Sequence, residues 1–130
     1  MKKATRNWIA TSEYDIETAE HMLKSGRYVY VVFMCHLSVE KLLKGLVAET
    51  QEDLPPKTHN LRYLVKLSKI EIPEEHATIL DVLNTTSIPT RYPEDIEKLL
   101  EKFPKEVVKN YFNQTKKLRK WLRQDKRLQE

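Results

Sequence analysis

Apolar residues recur at helical spacing along most of the chain, and no segment alternates apolar and polar side chains as a half-buried strand would. The pattern predicts a first helix from about Thr5 to Lys24, which Gly26 ends by taking a left-handed conformation. A second helix, from about Tyr28 to Glu49, carries the widest apolar stripe and is expected to be the central, mostly buried element. The chain is therefore predicted to be all-α.

Prolines divide the middle of the chain into shorter segments. The break at residues 54–56 contains two of them, and Thr58 is then expected to cap a short helix over residues 60–68. Pro73 is expected to open a fourth helix near residue 74.

The next segment, residues 84–93, is polar, β-branched and twice interrupted by proline, so it is predicted to be an extended loop. A short turn of helix is expected over residues 94–100, and Pro104 opens a final helix that runs to about Arg123. Short connections between long amphipathic helices favour antiparallel neighbours. The expected fold is an up-and-down four-helix bundle with an additional short helix, in a single domain over residues 1–130.

Length and cysteine content restrict the class of protein. A chain of 130 residues buries enough surface for a core that needs no disulfide or metal. Its one cysteine, Cys35, lies in an apolar run, which favours a reducing, cytoplasmic location and an unreactive thiol with a raised pKa. No segment has the length and apolar character of a signal peptide or membrane span. The residues predict no metal site and no cofactor.

The charge balance is modestly basic, with 23 Lys plus Arg against 19 Asp plus Glu, for a net charge of +4. Basic residues crowd the last fifteen positions, from Lys116 to Glu130. This tail is either a solvated helix end whose cations complement the helix dipole or a surface that attracts phosphate.

Two short strings contain the candidate chemistry: Arg91-Tyr92-Pro93 and, about thirty residues earlier, a string around His59. An arginine fork suits carboxylate or phosphate oxygens, so Arg91 is expected either to bind a glutamate of the same chain or to bind an external nucleotide. Glu40, between apolar neighbours, is either part of a surface pair with Lys44 or a partly buried anchor for Arg91 or His59.

The other candidates have structural alternatives as well. His59 either ties its loop to the second helix or contacts a ligand, together with Lys57. Tyr92 either stacks on a base or packs on the bundle as a loop anchor. His36 is expected to be a hydrogen-bonded core histidine, and His21 and His76 are expected at the surface.

Several of these strings, taken in order, resemble the HEPN domain family over nearly the whole chain. The matching segments are Trp8 with residues 14–19, residues 28–44 with their E-K-x-x-K ending, residues 58–61, and Arg91-Tyr92-Pro93. The resemblance implies a helical bundle that forms a homodimer, often encoded beside a minimal nucleotidyltransferase as a toxin–antitoxin pair.

Many HEPN members are metal-independent ribonucleases with an arginine followed after four to six residues by a histidine. This sequence has no such pair, because no histidine follows Arg91 and none of the four follows another arginine at that spacing. The resemblance to the branch with the R-Y-P string implies nucleotide binding instead.

The resemblance therefore implies a non-catalytic or weakly active dimeric domain that binds a nucleotide, RNA or a nucleotidyltransferase partner, as a component of the toxin–antitoxin type. The alternatives are a ribonuclease toxin with a non-standard active site, such as Arg91 with His59, and a purely structural dimerisation module. Glu40 is the predicted structural anchor. The predicted ligand-binding residues are Lys41, Lys44, Lys57, His59, Arg91 and Tyr92.

Overall fold

The computed structural model describes residues 1–130 and contains six α-helices, one 3-10 turn and no strand. The all-α prediction is confirmed, and four long helices are accompanied by two short ones, α3 and α5. The elements are α1 (Lys3–Lys24), α2 (Tyr28–Thr50), α3 (Leu61–Ser68), α4 (Glu74–Arg91), α5 (Ile96–Lys102), α6 (Lys105–Arg123) and the 3-10 turn Lys126–Leu128.

Helices α1 and α2 form an antiparallel hairpin. Gly26 turns the chain between them with a positive φ of 78°, as predicted. The Thr5 hydroxyl donates to Glu49 Oε2 at 2.6 Å near one end of the hairpin. Further along, the Ser12 hydroxyl donates to the Ser38 carbonyl, also at 2.6 Å, inside the core.

Helix α2 is the central element, as its apolar stripe predicted. It contacts α1, α3, α4 and α6, and most of its side chains are buried. Gly45 lies where α1 approaches closely, because a Cβ built on it would be 3.4 Å from Trp8 Cβ. Helix α1 therefore packs against α2 at Gly45, but it leaves room for an alanine Cβ in ordinary van der Waals contact.

The predicted loop over residues 84–93 is wrong, because α4 continues to Arg91 with Pro89 inside it. The missing N–H of Pro89 removes one hydrogen bond near the end of the helix, and its fixed φ is compatible with helical geometry. Tyr92, which precedes Pro93, is the C-cap residue, as expected from the restricted backbone before a proline.

The hydroxyl side chains of this polar, β-branched segment all bond within the helix. Each of them bonds back to a carbonyl one turn earlier, so none competes with the helix by forming a local turn. The hydroxyl of Thr85 donates to the carbonyl of Asp81, that of Thr86 to Val82, that of Ser87 to Asn84 and that of Thr90 to Thr86. The side chains of Ser87 and Thr90 are also buried, so packing holds this last stretch of α4 in place.

The boundaries of the short helices differ slightly from the predicted ones. Asn60, rather than Thr58, caps α3 by accepting from the backbone N–H of Tyr63. Asp95 caps α5 by accepting from Lys98, which moves this helix two residues beyond the predicted 94–100. Helix α6 ends at Arg123, as predicted. None of the helices is both long enough and apolar enough to cross a lipid bilayer.

His76 is not the surface residue that the sequence suggested. Its side chain is only 12% exposed, because its ring packs against Trp121 of α6 with 6.1 Å between the ring centroids. The sequence placed His76 near the start of α4 and gave no sign that α6 covers this end of the helix.

Candidate functional site

A buried carboxylate lies at the centre of the candidate site. Glu40 is 3% exposed, and its Oε2 accepts from Lys44 Nζ at 3.1 Å. Its Oε1 accepts from His59 Nδ1 at 2.8 Å and lies 3.6 Å from Arg91 Nη2. His36 Nδ1 is 3.7 Å from the same oxygen. These five residues form the Glu40 cluster.

Three separate parts of the fold supply the Glu40 cluster. Helix α2 places His36, Glu40 and Lys44 on one face, since residues four apart lie one turn above each other. The loop before α3 brings His59, and the last residue of α4 is Arg91. The unexpected length of α4 therefore positions the arginine, which sits on a helix end rather than on a proline turn.

His36 is a neutral hydrogen-bonded core histidine. Burial lowers its pKa to about 4, and this effect outweighs the opposing attraction of Glu40. The carbonyl of His59 can only accept, so His36 Nε2 donates to it at 2.9 Å. In the neutral ring Nδ1 is then unprotonated and accepts from Arg91 Nη2 at 3.3 Å.

His59 differs from His36 because its side chain is 56% exposed. The ionised Glu40 carboxylate can only accept, so His59 Nδ1 carries the hydrogen of their 2.8 Å bond. Nε2 makes no hydrogen bond within the chain, and in the neutral ring it carries the lone pair. The geometry therefore orients an accessible imidazole with a carboxylate behind it.

Arg91 is held from two directions. Its guanidinium carbon lies 4.7 Å from the centroid of the Phe33 ring, a cation–π contact, and its side chain is only 14% exposed. Its Nη2 binds His36 and is paired with Glu40. The Nε donor is buried, and no protein atom accepts from it.

The remaining predicted site residues do not join the Glu40 cluster. Lys41 points away from it, because one residue rotates the helix by about 100°, and its Nζ pairs with Asp15 Oδ2 at 2.6 Å. Tyr92 is 74% exposed and lines a groove between α4 and α5. Lys57 is exposed two residues before His59 and has no ion-pair partner in the chain. The structure thus groups Lys44, His59 and Arg91, with Lys57 nearby in sequence.

Sequence reasoning missed the contact between His36 and Arg91. The i, i+4, i+8 spacing of His36, Glu40 and Lys44 placed all three on one helix face, and this was a usable signal. Sequence reasoning also missed the role of Arg119. This residue is 8% exposed and donates to Ser12 Oγ at 3.2 Å and to Glu13 Oε2 at 3.1 Å. That contact joins α6 to α1.

The basic tail separates into two kinds of residue. Its arginines are structural: Arg119 binds α1, Arg123 donates to the Leu128 carbonyl, and Arg127 donates to the Ser68 carbonyl. Lysines form the exposed part. Four exposed lysines of α6, two in the tail and two before it, fall within an arc of about 60° and span about 22 Å along the helix, and none takes part in an ion pair. This lysine stripe consists of Lys105, Lys109, Lys116 and Lys120.

Other kinds of site find little support. Burial raises the pKa of the Cys35 thiol to about 12, which leaves it protonated and unreactive, as predicted. No group of three or more histidine, cysteine, aspartate or glutamate side chains is arranged to hold a metal ion.

Comparison with protein families identifies the fold. The HEPN domain model matches residues 5–126, nearly the whole chain. The chain belongs to the HEPN family. No curated protein matches it in sequence.

Two solved structures share this HEPN fold. The TT1696 protein from Thermus thermophilus is 20% identical, with a TM-score of 0.77 over 93% of this chain and 97% of that one. ST0689, described as an archaeal HEPN homologue, is 22% identical, with a TM-score of 0.73 over 95% of this chain and 97% of that one. At such low identity the likeness shows a common architecture only.

Proposed function

We propose that this HEPN-family chain is a non-catalytic domain that binds the phosphate groups of a nucleotide or RNA at the Glu40 cluster. The observation that carries the proposal is that Lys44 and Arg91 converge on one carboxylate beneath an exposed His59. Two fixed positive charges facing a single negative one leave a local excess that favours an anion.

The hydrogen-bonding capacity of the cluster fits the same ligand. Arg91 keeps a donor that no protein atom uses, and a buried donor without an acceptor costs about 1–3 kcal/mol. A small shift of this side chain toward a phosphate oxygen would satisfy it. His59 and Lys57, both exposed, supply further contacts at the entrance.

The lysine stripe favours RNA over a mononucleotide. A row of cations about 22 Å long is far longer than one nucleotide but suits several successive phosphates of a strand. Such a surface binds through the backbone, without sequence preference and with strong salt dependence.

The proposal includes the partners that the family resemblance implies. The chain would form a homodimer and associate with a nucleotidyltransferase, as one component of a toxin–antitoxin pair. An anion site shared with a nucleotide-handling partner gives this association a chemical basis, since the two proteins would then act on the same class of ligand.

The direct test is titration of the purified protein with ATP and with a short RNA, at low and high salt. We expect saturable binding that Arg91→Ala weakens about tenfold or more, the usual effect of losing a charge-assisted hydrogen bond. Lys57→Ala should weaken RNA binding modestly and lower the salt slope by about one. Lys24→Ala, an exposed lysine of α1, is the matched control and should change nothing. Absence of saturable binding to either ligand would reject the site.

A second comparison separates RNA from a mononucleotide. The double variant Lys109→Glu, Lys116→Glu reverses two charges of the lysine stripe without touching the Glu40 cluster. RNA affinity should fall strongly while ATP affinity stays unchanged. If the affinities for RNA and ATP fall equally, or if neither falls, the lysine stripe is not an RNA-binding surface.

The second candidate function is a metal-independent ribonuclease. The unbound Nε2 of His59, with Glu40 behind Nδ1, is the arrangement of a general base, although the arginine-to-histidine spacing of the family's ribonucleases is absent. Incubation with RNA in the presence of a chelator tests it. A ribonuclease would lose cleavage in His59→Ala and keep its circular dichroism and melting temperature, whereas a binding domain leaves the RNA intact.

A further inference from the structure

His59 Nε2 has the geometry of a nucleophile. His59 Nδ1 is fixed by Glu40 Oε1 at 2.8 Å, and Glu40 is in turn fixed by Lys44 at 3.1 Å. The half-exposed His59 ring therefore presents the Nε2 lone pair outward, away from the carboxylate. A charge held on the far side of an imidazole stabilises the imidazolium that forms when Nε2 attacks an electrophile.

No other histidine of the chain shares this arrangement. His36 is fully buried, and both of its nitrogens are engaged. His76 is largely covered by Trp121. His21 is exposed on α1 but has no carboxylate within ion-pair distance. His21 therefore serves as an internal reference for an unassisted surface imidazole.

The surroundings of His59 identify the electrophile. Lys44 and Arg91 contact the same carboxylate, and Lys57 is exposed two residues earlier. Cations around a nucleophile favour a reagent that carries negative charge into the transition state. A phosphoryl group has this property in the free donor as well as in the transition state, and an uncharged alkyl group has it in neither.

We infer that His59 is a phosphoryl-acceptor residue, modified on Nε2 by small donors of the phosphoramidate or acyl phosphate class. With phosphoramidate, the Nε2 lone pair forms the bond to phosphorus while the phosphorus–nitrogen bond of the donor breaks, and ammonia leaves with the electron pair of that broken bond. With an acyl phosphate, the phosphorus–oxygen bond to the acyl group breaks in the same way, and a carboxylate leaves with its electron pair. The Nδ1 proton stays on the ring, bonded to Glu40. No oxidation or reduction occurs.

In this step Glu40 is a positioning residue. It keeps the proton on Nδ1, so that only Nε2 is free to react, and it stabilises the resulting imidazolium. The inference does not depend on nucleotide binding, because a small donor needs only His59 and the charges around it. Failure of the ATP and RNA titrations would leave it intact.

The experiment is incubation of the full chain with phosphoramidate, with site-resolved mass spectrometry under alkaline conditions that preserve phosphohistidine. We expect His59 to gain one phosphoryl group roughly tenfold faster than His21 or more. Nuclear magnetic resonance should place the group on Nε2. Unfolding the protein in urea should make the two rates equal.

Variants separate the chemistry from mere exposure. Glu40→Gln should slow modification of His59 and yield a mixture of Nδ1 and Nε2 products, while the rate at His21 stays the same. His21→Asn should leave the modification of His59 unchanged. Equal rates at His59 and His21 in the folded wild-type protein, or a phosphoryl group on Nδ1, would overturn the inference.

Discussion

Glu40 is the residue on which the candidate site depends. A carboxylate that is 3% exposed would be strongly destabilising alone, and Lys44, His59 and Arg91 offset that cost. Such a group tolerates the loss of a partner poorly, because the remaining charge stays buried. Stability and ligand binding therefore draw on the same side chains, and they must be measured separately.

Arg91→Ala should lower the free energy of unfolding by about 3 kcal/mol, since it leaves Glu40 undercompensated and His36 Nδ1 without a donor. Arg62→Ala is the matched control, because Arg62 forms an exposed pair with Asp81 at 2.7 Å. That change should cost about 1 kcal/mol or less. Urea unfolding curves of both variants test the difference, and equal small losses would mean that Arg91 is not anchored as described.

A purely structural module makes the same stability prediction but a different binding prediction. If Arg91 serves only the internal ion pair, its loss leaves ATP and RNA affinity unchanged in the fraction that remains folded. Binding measured well below the melting temperature therefore distinguishes the structural alternative from the proposed phosphate site.

His36 gives the molecule a defined response to acid. Its folded pKa, about 4, lies below the ordinary value of 6.5, so the unfolded chain binds the proton more readily. Stability is therefore complete above about pH 6.5 and falls as the pH decreases toward 4. Between pH 7 and pH 5 the loss attributable to this residue should be about 2 kcal/mol.

Urea unfolding at pH 7 and pH 5 measures that loss. The His36→Gln variant retains a donor for the His59 carbonyl but does not titrate, so its stability should change much less over this interval. An identical change in the variant would show that other groups produce the pH dependence.

At the residue scale the sequence identified more of the site's members than of the contacts between them. Glu40 stood out as a carboxylate among apolar neighbours, and Arg91 and His59 stood out by their residue types beside prolines and a cap. Their contacts depend on three segments that meet only in the folded chain. The sequence thus identified candidate residues, but it did not predict the contact between Arg91 and His36 or the absence of Lys41 from the Glu40 cluster.

At the scale of elements, hydrophobic periodicity predicted the long helices well and failed where tertiary packing overrides local preference. Residues 84–91 read as a loop because threonine, serine and proline disfavour helix interiors. In the fold, the side chains of Ser87 and Thr90 are buried against the bundle, and this packing keeps α4 intact while their hydroxyls bond to the preceding turn. The burial of these two side chains is not visible in the local sequence.

Replacing each of the two glycines with alanine should change the stability of the protein in opposite directions. At Gly45, an alanine Cβ meets its nearest neighbour at 3.4 Å, an ordinary contact, so Gly45→Ala should stabilise α2 by about 0.5–1 kcal/mol. At Gly26, φ is +78°, and Gly26→Ala should destabilise by about 1 kcal/mol. Thermal melts of the two variants test this pair. Destabilisation by Gly45→Ala would mean that α1 and α2 approach more closely than described.

At the scale of the whole molecule, the fold was predictable because its signals agree. Helical periodicity, the lack of strand patterns and the proline and glycine positions all indicate a helical bundle, and the HEPN family match over residues 5–126 confirms it. Oligomeric assembly depends on exposed surfaces rather than on the core, so the sequence patterns that predict the fold do not predict the oligomeric state equally well.

If the proposed homodimer forms, light scattering during size exclusion should give twice the 15.5 kDa mass of the chain. If the interface buries as much surface as stable protein–protein interfaces do, the mass should stay constant over a tenfold dilution. A monomer at every concentration would remove the dimer from the proposal without affecting the phosphate site.

Phosphate binding at the Glu40 cluster can be measured by titrating ATP into the isotope-labelled protein and following the imidazole resonances of His59 and His21. We expect a saturable shift of the His59 resonances that is lost in Arg91→Ala, and little change at His21. Shifts of equal size at the two histidines, or none at His59, would contradict it.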